Sequence, residues 1–137
     1  MRALDNLILT GLPRAGSASV SALIDTMTDA VCLNTPPWQT AFARNPVEIL
    51  PFCKWLVGDF VWARCQLLAE KPLADMRHAD GTPMMDGMTE GEPKGVAFLR
   101  HGLTPTFTLA MRQTTLFTGV LPLLSSFGHF RIVAVIR

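Results

Sequence analysis

Apolar residues fall along this chain in short continuous runs, separated by longer stretches in which they recur at helical spacing. The first run is Leu7-Ile-Leu9, closed by Thr10-Gly11. A run of this kind is expected of a strand covered on both faces. A tight turn, Gly11 to Gly16, follows. Val20, Leu23, Ile24 and Met27 then stand at i, i+3, i+4 and i+7, which predicts a helix over 16–27 with that row turned inward. Ala30-Val-Cys-Leu33 predicts a second strand, and Pro36-Pro37 prevents its continuation. Asn45-Pro46-Val47-Glu48 has a capping residue, a first-turn proline and an acidic third position, so it predicts a helix start. Helical spacing runs on to about Ala69, with Ile49, Cys53, Leu56 and Phe60 on one row and Leu50, Val57, Val61, Cys65 and Leu68 on another. Trp55 and Trp62 widen the stripe, so this helix is expected to be buried on more than one side. Phe107 to Met111 predicts a third strand, 115–125 a helix, and Phe130 to Ile136 a fourth strand whose end, Ile132 to Ile136, is continuously apolar.

Residues 71–106 break the rhythm. Five of the ten glycines lie there, with Pro72, Pro83, Pro93 and Pro105, so a long irregular connection is expected, with a short strand at Val96 to Leu99. Met76, His78, Met84, Met85 and Met88 match no metal cage, and adaptable packing accounts for them better, so no metal is expected. Elsewhere strand, helix and strand alternate twice. That order implies an α/β fold: a three-layer arrangement of a parallel sheet flanked by helices, with ligands at the carboxyl ends of the strands.

Composition sharpens this picture at three points. Twelve basic residues against eleven acidic ones give a net charge of +1, which implies neither a nucleic-acid nor an acidic partner. Hydrophobic residues make up 49 % of the chain and charged ones 17 %, so an uncovered apolar face, and with it self-association, is expected. The longest uncharged run, Gln113 to Phe130, is broken by Gly119, Pro122 and Gly128, and no membrane span is expected. The N-terminus has no apolar run of signal-peptide length, and the three cysteines, Cys32, Cys53 and Cys65, have no CxxC spacing. Free buried thiols in a reducing compartment, the cytoplasm, fit best.

The candidate chemistry gathers behind the first strand. Strand, glycine-bounded turn and helix aim backbone N–H groups and the positive end of a helix dipole at an anion. Gly11-x4-Gly16 meets the first half of a phosphate-binding loop pattern, but Ser17 and Ala18 stand where a triphosphatase needs lysine and a magnesium-binding hydroxyl. The cation is instead Arg14, inside the turn. Arg112 and Arg137 also follow strands, so three strand ends each carry an arginine. Trp38 reads as a cover for the core edge. Glu48, Asp59 and the three histidines have no motif support as a general base.

Gly11-Leu-Pro-Arg-Ala-Gly-Ser17 resembles the 5′-phosphosulfate loop of the P-loop-containing sulfotransferases. The resemblance implies 3′-phosphoadenosine 5′-phosphosulfate as co-substrate and sulfuryl transfer to a hydroxyl or amine. By position it implies that Pro13, Arg14, Ala15, Gly16, Ser17, Ala18 and Ser19 line the donor site, and that Arg14 and Arg112 stabilise the transferring group. Ala18 departs from the family's second hydroxyl residue. Phe130 to Arg137 resembles the strand whose terminal arginine binds the donor's 3′-phosphate, here Arg137. Arg112-Gln113 stands where that family commonly has a Lys-His pair. In the resembling family the strand before Trp38 leads to the acceptor side, where Trp38 would line a pocket. The resemblance covers the front half of the family's domain, so 1–137 is expected to be a single partial domain. A non-catalytic relative that binds the nucleotide weakly or not at all is the alternative expectation.

Overall fold

The computed structural model describes residues 6–11, 16–39, 49–84 and 95–136. Four strands, β1 (Asn6–Gly11), β2 (Ala30–Asn34), β5 (Thr108–Arg112) and β6 (Arg131–Val135), form one parallel sheet in the order β2-β5-β1-β6. Two short strands in the intervening connection, β3 (Leu73–Asp75) and β4 (Val96–Phe98), pair antiparallel in a separate two-stranded sheet. The helices are α1 (Ser17–Thr26), α2 (Ile49–Leu68), α3 (Thr114–Gly119) and α4 (Leu121–Phe127). The architecture is therefore α/β: a parallel four-stranded sheet with flanking helices. None of the described helices is long and apolar enough to cross a membrane.

Side-chain alternation divides the sheet into two faces. Ile8, Val31, Leu33, Leu109 and Met111 point to one face, where they form a single buried cluster with Phe52, Leu56 and Phe60 of α2, Phe117 of α3 and Leu124 of α4. Leu9, Cys32 and Ala110 point to the other, against Val20 and Ile24 of α1. Strand order explains the division. β1 leads through α1 toward β2, whereas β5 leads through α3 and α4 toward β6, in the opposite direction along the sheet. Right-handed crossovers then put the two sets of helices on opposite faces. β1 and β5 are neighbours whose connections run to opposite faces, the topology at which open α/β sheets place ligands.

Two elements differ from the sequence pattern. The helix expected at 115–125 is two helices meeting at Val120, whose φ of -114° and ψ of 10° are non-helical. Pro122, near the start of α4, has no N–H and would clash with the carbonyl four residues back, so one continuous helix cannot form. In α1 only half of the expected apolar row turns inward, Val20 and Ile24, which pack against Leu9, Cys32 and Ala110. Ser17 and Ser21 are the buried residues, while Leu23 is 59 % exposed and Met27, just past the helix, is 51 % exposed. Ser17 bonds with Arg112, and Ser21 with Asn34, at the strand ends. Cys65, expected to be buried, is exposed; Cys32 and Cys53 are buried, and all three are free thiols. The helix start at Asn45 to Glu48 lies outside the described residues.

Candidate functional site

The strand ends are fixed first by glycine and hydroxyl chemistry. Gly11 closes β1 with φ 140°, and a Cβ there would fall 2.1 Å from the carbonyl oxygen of Val135. Only glycine lets the chain leave β1 this close to β6. Thr118 of α3 shares a 2.7 Å hydroxyl hydrogen bond with Thr10 and donates to the Gly11 carbonyl at 3.3 Å, which anchors α3 beside the end of β1. Gly16, in the left-handed region at φ 105°, then starts α1 without a side-chain cap. A helix start carries N–H groups that no carbonyl of its own helix can satisfy, and such groups attract anions.

β5 lies between β2 and β1, with Arg112 level with both Asn34 and Leu9. Arg112 is 1 % exposed. Its Nη1 donates to the Ser17 hydroxyl at 3.2 Å, and its Nη2 donates to the Met84 carbonyl. Two residues distant by 95 positions are thus joined at the first turn of α1. Gln113, the next residue, is 5 % exposed, and its Nε2 has no hydrogen-bond partner among the described residues. A buried amide donor of this kind normally finds an acceptor. Arg112 and Ser17 thus bring a guanidinium and a hydroxyl to the start of α1, and Gln113 adds a buried amide donor at the next position of the chain. Such a set suits an anion.

Of the residues singled out from sequence, the structure brings Ser17 and Arg112 together and sets Gly16 beside them at the helix start. Ala18 is partly exposed and Ser19 is exposed on α1. Pro13, Arg14, Ala15 and Arg137 lie outside the described residues. Among the described residues no three His, Cys, Asp or Glu side chains are grouped to hold a metal.

A second polar cluster had no signal in the sequence. The row Ser17, Ser21, Asp25 runs along the inner side of α1. Ser21 donates to Asn34 Oδ1, and Asp25 accepts from the Cys32 N–H at 2.9 Å. Arg77, 4 % exposed, donates to Asp75 at 2.6 Å and Asp25 at 2.7 Å, and its Cζ lies 4.1 Å from the Phe98 ring centroid. Asp75 also accepts from the Asn34 N–H, which ties β3 to the end of β2. Burial pushes the Asp75 carboxyl up to about 6, against the pull of Arg77. Burial likewise pushes the Cys32 thiol up to about 12, so it is no nucleophile at neutral pH. This cluster pins the 73–84 segment onto the sheet and so carries the Met84 carbonyl to Arg112. No protein-family model matches the chain, and no curated protein or solved structure is significantly similar to it.

Proposed function

We propose that the chain is a sulfotransferase-like protein that binds 3′-phosphoadenosine 5′-phosphosulfate at the ends of β1 and β5 and passes its sulfuryl group to a hydroxyl or amine. On this reading the β1–α1 connection is a P-loop-type anion turn. The supporting observation is the meeting of Arg112 and Ser17 at the start of α1, with the unsatisfied Gln113 Nε2 beside them in the chain. These residues fit an anionic group by their chemistry, since all three can donate to it. The donor supplies the activated sulfuryl group. Arg112 would hold negative charge, Ser17 and the α1 N–H groups would orient it, and Gln113 would donate to an oxygen. Arg14 and Arg137 would add cations at the neighbouring strand ends. We place the protein in the cytoplasm, where three free cysteines persist.

Calorimetry tests this directly. Adenosine 3′,5′-bisphosphate should bind without magnesium and better than ATP. Arg14→Ala should weaken that binding by about 2 kcal/mol, the range of a charge-assisted contact. Tight magnesium-dependent ATP binding, with none for the bisphosphate, would overturn the reading.

The Met84 carbonyl on Arg112, together with Ala18 in the turn, favours a second reading: a non-catalytic relative whose guanidinium is already engaged from within through Nη2. Bisphosphate binding without sulfuryl transfer to any hydroxyl or amine acceptor would select it. Exposed Leu23, Met27, Val133 and Ile136 support self-association in either case, and a monomer in sedimentation would exclude that.

A further inference from the structure

On the α2 face of the sheet lies an open cleft of about 470 Å³, lined by Trp38, Lys54, Trp55, Gly58, Asp59 and Trp62. Five of these six residues belong to α2, and they recur so as to face Trp38 across the opening. Trp38 and Trp62 meet edge to face, with centroids 5.3 Å apart and planes at 76°. They form two walls near a right angle, and Trp55 supplies a third indole. Gly58 keeps space open, since a Cβ there would meet nothing within 4 Å. Trp62 is 44 % exposed, so this part of the tryptophan stripe is not core.

The one buried charge lining the cleft is Asp59, only 6 % exposed. Its oxygens accept from Trp38 Nε1 at 2.8 Å and Gln39 Nε2 at 2.6 Å. A carboxylate oxygen can accept more than one hydrogen bond or contact. No ion pair reaches Asp59 among the described residues, and Lys54 stands exposed at the rim. A buried carboxylate without a cation is unfavourable, and indole faces attract cations through their quadrupole. Both features therefore ask for positive charge. A bare ammonium keeps its water too strongly for walls this apolar, whereas an alkylated one carries its charge under a shell of methyl groups.

We propose that this cleft binds a small organic cation of the methylated ammonium class, with Trp38 and Trp62 packed on its methyl groups and Asp59 opposing its charge. The site is separate from the ends of β1 and β5. Gln39, which holds Asp59, also contacts Met111 Sδ at 2.9 Å on the α2 side, whereas the Arg112 side chain lies toward α1. The inference stands whether or not the chain is a sulfotransferase.

The test is titration of the full chain with choline and tetramethylammonium, followed by indole fluorescence and calorimetry, against 3,3-dimethylbutan-1-ol, the uncharged isostere of choline. Choline should give a saturable change, and the isostere should bind roughly tenfold more weakly, near the upper range of a cation–π contribution. Asp59→Asn should lose a similar factor. That variant should fold, because Gln39 Oε1, without a partner among the described residues, can turn to accept the new amide. Trp62→Leu, at an exposed position, should also lose affinity and provides a second check. Adenosine 3′,5′-bisphosphate should not compete. Equal binding of the isostere, undiminished binding by folded Asp59→Asn, or no saturable change up to about 10 mM choline would overturn the proposal.

Discussion

The two faces of the sheet are built on different physics. The α2 face is an apolar interior: Phe60, Phe107, Phe117, Leu56, Leu67 and Leu124 are fully buried there. The α1 face has three buried apolar residues, Leu9, Cys32 and Ala110, and its helix turns serines and an aspartate toward the strand ends. What holds it is the Asp25–Arg77–Asp75–Asn34 cluster. The apolar face can be repacked and still fold; the polar face fixes one geometry, because each donor there needs its particular acceptor. The candidate anion site lies on the polar face, where such fixed geometry is useful.

The largest expected effect tests the apolar face. Phe60 is fully buried, with its ring 5.0 Å from that of Phe130. Phe60→Ala should cost about 4 kcal/mol by transfer and cavity terms, read from urea unfolding. A loss under about 1 kcal/mol would show that this face is not the centre of the core.

The polar face should respond to pH as the apolar face does not. Arg77→Met removes the partner of two carboxylates and should cost about 3 kcal/mol at neutral pH. The sign for Asp75 follows from its raised carboxyl. The folded state holds that proton more tightly than the unfolded chain, whose value is near 3.8. Asp75 therefore favours folding at low pH, and that contribution fades as pH rises from about 4 to about 6. Asp75→Asn should flatten the stability profile in this window, and the penalty of Arg77→Met should shrink below it. An unchanged profile in Asp75→Asn would mean that the carboxyl is already ionised throughout.

The smallest effect separates the thiols. Cys65 is exposed, whereas Cys32 and Cys53 are buried on opposite faces. A thiol reagent should modify Cys65 rapidly in the folded protein and the other two only on unfolding. Fast modification of Cys32 would show that α1 opens away from the sheet.

The apolar half of this architecture was legible in the sequence because continuous apolar runs and helical spacing carry it. Leu7 to Leu9, Ala30 to Leu33 and Ile132 to Ile136 read as covered strands; the first two are largely buried strands, whereas β6 is an exposed edge strand, with Val133 39 % exposed and Ile136, just past it, 76 % exposed. The polar half was not legible. Arg77 and Asp25 pair across 52 positions, and no local pattern encodes such a meeting. In α1 the apolar spacing of Val20, Leu23, Ile24 and Met27 was half right: Val20 and Ile24 pack on the sheet, Leu23 and Met27 are exposed, and the polar row of Ser17, Ser21 and Asp25 beside them was missed. Three-residue β3 is too short for a periodic signal amid Pro72 and Gly81. Ser17 and Arg112 each drew notice singly, but that they touch follows from the insertion of β5 between β2 and β1, which the order of elements alone does not dictate. Asp59 looked structural because its indole partners lie on two separate segments.

The most direct test is hydrogen exchange of the full chain with and without adenosine 3′,5′-bisphosphate. The expected result is slowed exchange at the amides of Gly16 to Ser21 and of Arg112 and Gln113, with the Trp38–Trp62 cleft unchanged. Slowed exchange confined to other segments, or no change at a bisphosphate concentration that saturates calorimetric binding, would contradict an anion site at the junction of β1, β5 and α1.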